Sequence, residues 1–140
     1  MTVQLKAITA LSYIAITFVF AILWHLIFFR SFYDRIGYFG EEEPVIALGL
    51  LTIITQGLLV AYAYPYLQRK ESALKDAVRV SLVFGVNTAS VQVLAAAAKH
   101  HAPVSLEWFL FEGLYFFTQF VLIALAFWLI HTSKRPKHDG

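Results

Sequence analysis

Four apolar stretches, each about as long as a bilayer crossing requires, occupy most of this 140-residue chain. A spanning helix needs about 20 mostly apolar residues, and four such runs are read at residues 7–29, 44–66, 77–98 and 106–131. In hydrocarbon every backbone N–H and C=O must be bonded within the protein, so runs of this length predict helices. The expected fold is all-α, a four-transmembrane-helix bundle forming a single integral membrane domain over residues 1–140. With 59% hydrophobic and 14% charged residues, the chain carries too little charge to solvate a water-soluble domain of this size. The first run is longer than the apolar part of a signal peptide and lacks a small-residue cleavage site before Arg30, so it reads as a retained span.

The charges are sorted by side. If the termini share one side, that side holds Lys6, Arg69, Lys70, Lys75, Arg79, Lys134, Arg135 and Lys137, and the other holds Arg30, Arg35 and Lys99. Eight basic residues against three places both termini in the cytoplasm by the positive-inside rule. The acids Asp34, Glu41, Glu42, Glu43, Glu107 and Glu112 fall on the opposite side. A lipid bilayer, not nucleic acid, is the partner this distribution implies. The absence of cysteine removes disulfides, thiolate metal ligands, iron–sulfur clusters and cysteine nucleophiles together.

Along the chain, the aromatic and basic segment from Phe28 to Gly40 reads as an amphipathic turn in the outer headgroup zone. Glu41, Glu42, Glu43 and Pro44 suit the start of the second span, and Pro65 between Tyr64 and Tyr66 suits its end. Gly49, Thr52, Gln56 and Ala63 share one stripe of the second span, a small and polar contact face. The third span is the least lipid-like. Ser81, Gly85, Thr88 and Gln92 fall on one side of it and Asn87 and Ser90 on the other. A helix polar on two sides should be surrounded by protein. The fourth span is aromatic-rich, with Trp108 and Trp128 expected as interfacial anchors.

Glu112 is the most informative residue, because a carboxylate roughly 8 Å inside the outer end of a span is costly and such residues are functional hypotheses by default. Trp108, Tyr115, Phe116 and Gln119 share its face, which should therefore turn inward. His25 in the first span and Gln92 in the third sit at nearly the same estimated depth. Together with Glu112 they are expected to form a hydrogen-bonded polar layer, with Gln56 and Gln119 as further members of a polar cluster. Adding His100 or His101 from the outer loop would make a His/Glu metal site with His25 and Glu112, suited to a transition metal ion such as zinc, copper or iron. No HExxH or Glu-x-x-His spacing accompanies it. No Gly-x-Ser-x-Gly or phosphate-binding glycine loop points to nucleophilic catalysis. Small multidrug-resistance transporters have similar length and four helices, with their key glutamate in the first helix; here the first span has no acid.

The segment Trp24-His25 through Phe32-Tyr33 to Gly37, then Tyr64-Pro65, Gly85, and Pro103 to Trp108 followed by Glu112, resembles a loose pattern in small bacterial four-helix membrane proteins of unassigned activity. The resemblance implies a multi-pass protein of the bacterial inner membrane and brings no catalytic residues. The function expected from the sequence is a non-catalytic membrane subunit or binding protein, without a cofactor, that packs as a homo-oligomer or within a larger complex. The competing expectations are a proton-coupled small-molecule transporter using Glu112 and the metal-site protein described above.

Overall fold

A computed structural model describes residues 1–38, 45–98 and 105–133. The described residues are helical, with no strand. Helix α1 runs Val3–Ala21 and continues as a π-helix over Ile22–Phe28. A short helix α2 follows at Arg30–Arg35. Helix α3 covers Ile46–Leu67. Helix α4 covers Ala73–Ala89, widens into a π-helix at Ser90–Ala95 and closes with Ala96–Ala98. Helix α5 covers Leu106–Thr132. Four of these, Val3–Phe28, Ile46–Leu67, Ala73–Ala95 and Leu106–Thr132, are long and apolar enough to cross a membrane.

The starts of α1, α4 and α5 are fixed by side-chain caps that hydropathy does not see. Thr2 accepts the N–H of Leu5, Ser72 that of Lys75 and Ser105 that of Trp108. Each hydroxyl satisfies one of the orphan donors of a first turn. For this reason α1 and α4 begin four residues before the expected starts at 7 and 77, in their polar first turns. Helix α3 runs two residues past Pro65. The acidic stretch expected to start it lies in residues 39–44, outside the described residues.

Helix α1 packs on α3 and α5, α5 packs on α4, and α3 meets α4 more sparingly. Helix α3 comes close to α1 at Gly57, where a Cβ would come within 2.7 Å of Ile14 Cγ1 and 3.1 Å of the Ala10 carbonyl oxygen. The buried face of α3 is Gly57, Val60, Ala61 and Tyr64. This corrects the expected contact stripe, since Gly49 and Thr52 are exposed and the Thr52 hydroxyl returns to the Leu48 carbonyl. On α5 the buried stripe recurs every three or four residues through Trp108, Glu112, Tyr115, Phe116, Gln119, Phe120, Ile123, Phe127 and His131. Trp108 is therefore a core residue rather than the expected interfacial anchor, whereas Trp128 is 37% exposed.

The buried polar groups sit at three levels. At the end where α1 begins and α5 finishes, the Thr9 hydroxyl donates to the Leu5 carbonyl, so its oxygen accepts from His131 Nε2–H at 3.2 Å. The His131 ring lies flat on Tyr64, centroids 4.0 Å apart. Midway, Tyr13 OH donates to Gln56 Oε1 at 3.0 Å and Gln119 Nε2 to Thr17 Oγ1 at 3.4 Å. Glu112 occupies the third level.

Candidate functional site

The third level is built where the backbone leaves the ordinary α-helix. At Ile22 the hydrogen-bonding pattern of α1 changes from i→i+4 to i→i+5, and the Phe29 N–H closes the last wide turn on the Trp24 carbonyl at 3.0 Å. Phe29, with φ −119° and ψ 19°, then breaks the chain direction. The six residues of α2 follow at once. Gly37, at φ +68°, ends α2 in a Schellman motif: its N–H bonds the Asp34 carbonyl and the Tyr38 N–H bonds the Tyr33 carbonyl. Tyr33 and Tyr38, 5.1 Å from each other, both lie beside the ring of His25, at centroid distances of 4.7 and 6.1 Å.

Helix α5 supplies the acid. Glu112 is 2% exposed, and a single oxygen, Oε1, accepts the Tyr33 hydroxyl at 2.7 Å and faces His25 Nε2 at 3.3 Å. Trp24 Nε1 donates to the Tyr33 oxygen at 3.1 Å, and Tyr115 closes the far side edge-on to His25 at 4.5 Å. Burial, and then the Glu112 carboxylate, push the Tyr33 and Tyr38 hydroxyls well above the usual phenol range. Tyr33 is therefore a permanent donor.

The hydrogen bonds also fix where the histidine proton sits. His25 Nδ1 lies 3.1 Å from the Ala21 carbonyl, which only accepts, so Nδ1 carries a hydrogen. In a neutral ring Nε2 is then a lone pair, and its contact with Glu112 Oε1 requires one proton held between them. The pair is either imidazolium with carboxylate or imidazole with carboxylic acid. The His25 ring also lines an apolar crevice of about 150 Å³ between α1 and α3, with Phe18, Ile22, Gly49 and Ile53.

Two further contacts bind α2 to α5. Phe32 stacks on Phe111 at 4.1 Å, and Arg35 Nη2 bonds Glu107 Oε1 at 2.9 Å on the surface. The exposed ion pair contributes at most about 1 kcal/mol. The buried Tyr33–Glu112 bond and the stacked rings carry the attachment.

Of the residues expected in this layer, the structure brings His25 and Glu112 together and leaves Gln92 out. Gln92 is exposed on α4. The cause is the π-helical stretch: with i and i+5 rather than i and i+4 in register, the inward position after Thr88 passes to Val93, which is buried. Gln56 and Gln119 are polar contacts one level away, as given above. Tyr33 takes the place given to Gln92. Its signal in the sequence was only the aromatic segment after the first span, which reads as an interfacial turn until α2 is seen folding back.

His25 and Glu112 stand in contact, as the metal reading requires, while His100 and His101 lie outside the described residues. Among the described residues no three His, Cys, Asp or Glu side chains gather at one point. No family model, curated protein or solved structure matches the chain.

Proposed function

We propose that this chain is a small, non-catalytic subunit of a bacterial inner membrane, with both termini cytoplasmic, that packs through α4 against a second copy or a larger membrane protein. The observation that carries this reading is Asn87. Its side chain is exposed, about 21 Å along α4 from Ala73 and about 17 Å from Ala98, which is the depth of the hydrocarbon. A carboxamide left unbonded in hydrocarbon costs a few kcal/mol, and in membranes such groups are satisfied by bonds to another helix. Neither Asn87 nor Gln92 hydrogen-bonds through its side chain to another described residue. The Glu112 level gives the subunit a rigid outer end by tying α1, α2 and α5 together.

The test is purification in mild detergent with light scattering. The protein should emerge as an oligomer or with a second chain, and Asn87→Leu should release a monomer that unfolds no earlier than wild type. A wild-type protein that is already a lone monomer overturns the reading.

A second reading rests on the buried contact of His25 with Glu112 and on the place of the His25 ring in the lining of the α1/α3 crevice: a proton-coupled transporter. In liposomes carrying a pH-sensitive dye, wild type would then dissipate a pH gradient and Glu112→Gln would not. No flux in either removes this reading.

A further inference from the structure

Between α4 and α5, on the outer surface of the bundle, runs a groove of about 470 Å³. Small residues form part of its lining, Gly85 and Ala89 from α4 and Gly113 and Ala124 from α5, while Phe117 and Leu82 rise beside them. Of the residues that line it only Ser81 is polar, and that residue is 4% exposed. At one end the groove reaches Leu74 and Leu125, beside the turn that joins α3 to α4; at the other it reaches Ala89 and Gly113. Its length is about 22 Å along α4 and about 18 Å along α5 at 1.5 Å per residue. One leaflet of a bilayer core about 30 Å thick is about 15 Å deep, so the groove is long enough to hold a single lipid chain lying along the helices.

The end at Leu74 is electrically distinct. Arg69, Lys70, Lys75 and Arg79 lie within six residues of Leu74, against the acids Glu71 and Asp76. Asp76 is buried and already accepts the Arg69 backbone N–H and Arg79 Nη1, at 2.8 and 3.1 Å. Glu71 pairs at 3.4 Å with Lys75, which remains 68% exposed. Four basic residues against two acids therefore neighbour the Leu74 end of the groove along the chain, and clusters of basic residues at the end of a span attract anionic lipids.

We propose that this groove is a binding site for one anionic phospholipid of the leaflet on the side of the α3–α4 turn. One acyl chain lies between α4 and α5, and the phosphate is held by Lys70 and Lys75. The excess of basic residues at the Leu74 end selects this occupant over a zwitterionic lipid. The Phe120 ring already fills the space against Gly85, whereas Gly113 leaves open space, since a Cβ there would meet nothing within 4 Å. A bulky side chain at that position fills the groove without disturbing the packing of α4 on α5.

The experiment is native mass spectrometry of the intact protein released from detergent, with phosphatidylglycerol or phosphatidylethanolamine of identical chains added. One phosphatidylglycerol should stay bound at collision energies that strip phosphatidylethanolamine. Lys70→Gln with Lys75→Gln should reduce that preference by at least about fivefold, since each basic residue near an anionic surface is worth about that factor. Gly113→Leu should abolish retention of both lipids with thermal stability no lower than that of wild type. Equal retention of the two lipids by wild type overturns the proposal. So does phosphatidylglycerol retention undiminished in Gly113→Leu, or a bound mass in the groove that belongs to some other molecule or to a second copy. Oligomeric state is read separately in the same spectra, so this site and the Asn87 contact succeed or fail independently.

Discussion

Replacing Tyr33 by Phe removes one oxygen atom from the centre of the Glu112 level and leaves the ring, with its contacts to Phe32, His25 and Tyr38, in place. Two bonds end on that oxygen: the donation to Glu112 Oε1 at 2.7 Å and the acceptance from Trp24 Nε1 at 3.1 Å. A hydrogen bond to a charged group contributes roughly 1.5–3 kcal/mol, and a buried donor left without an acceptor costs roughly 1–3 kcal/mol. Interhelical bonds measured in membrane proteins average only about 0.6 kcal/mol, which favours the lower half of the combined range. Tyr33→Phe should therefore destabilise the protein by about 2–4 kcal/mol, with Tyr66→Phe, 73% exposed, as a silent control.

The assay is reversible unfolding in mixed micelles followed by tryptophan emission. The Trp24 band should shift even before unfolding, because its indole N–H loses its acceptor. Glu112→Gln should cost a similar amount, because one oxygen serves both Tyr33 and His25. An amide oxygen there still accepts from Tyr33 but presents a lone pair to His25 Nε2. In the double variant the two losses should fall short of their sum. A Tyr33→Phe protein within about 0.5 kcal/mol of wild type, or strict additivity with Glu112→Gln, would mean that the Tyr33 hydroxyl does not hold Glu112.

The glycines offer a matched pair of opposite sign. Gly57→Ala should destabilise by about 1–3 kcal/mol, because its Cβ would press on Ile14 and the Ala10 carbonyl. Gly113→Ala should stabilise by about 0.5–1 kcal/mol, because its Cβ enters open space and alanine favours the helix; thermal melts distinguish them. Gln119→Leu should be neutral or stabilising by the same unfolding assay. The long bond to Thr17 is weak, and Gln119 Oε1 is buried with no hydrogen-bond partner among the described residues.

The spans were legible because hydrocarbon imposes one rule on every residue at once, and a run of about 20 apolar residues has few other uses. The starts of the first and third spans were not, whereas the fourth begins at Leu106 as expected. Thr2 and Ser72 extend α1 and α4 through polar first turns that a hydropathy window discards. Glu112 and His25 were legible for the converse reason, being ionisable groups within apolar runs. The third member of their layer was misassigned on two counts. Regular 100° spacing carries Gln92 inward only if α4 stays an α-helix, and the wide turns at Ser90–Ala95 hand that position to Val93. Tyr33 enters only because Phe29 and Gly37 reverse the chain twice within ten residues. That is a tertiary event with no period in the sequence. The place of Trp108 in the core rather than at the interface follows from the same fold, since α2 lies against the first turns of α5.

Glu112 is buried in direct contact with His25 across the α1/α5 interface. Solid-state NMR on protein in lipid bilayers, with ¹⁵N in the histidine rings and ¹³C in the glutamate side-chain carboxyls, measures that contact. The expected result is a strong dipolar coupling between His25 Nε2 and the Glu112 carboxyl carbon, lost in Glu112→Ala, together with an Nδ1 shift that shows a bound hydrogen. An absent coupling in the wild-type protein, or an Nδ1 without its hydrogen, would contradict the claim.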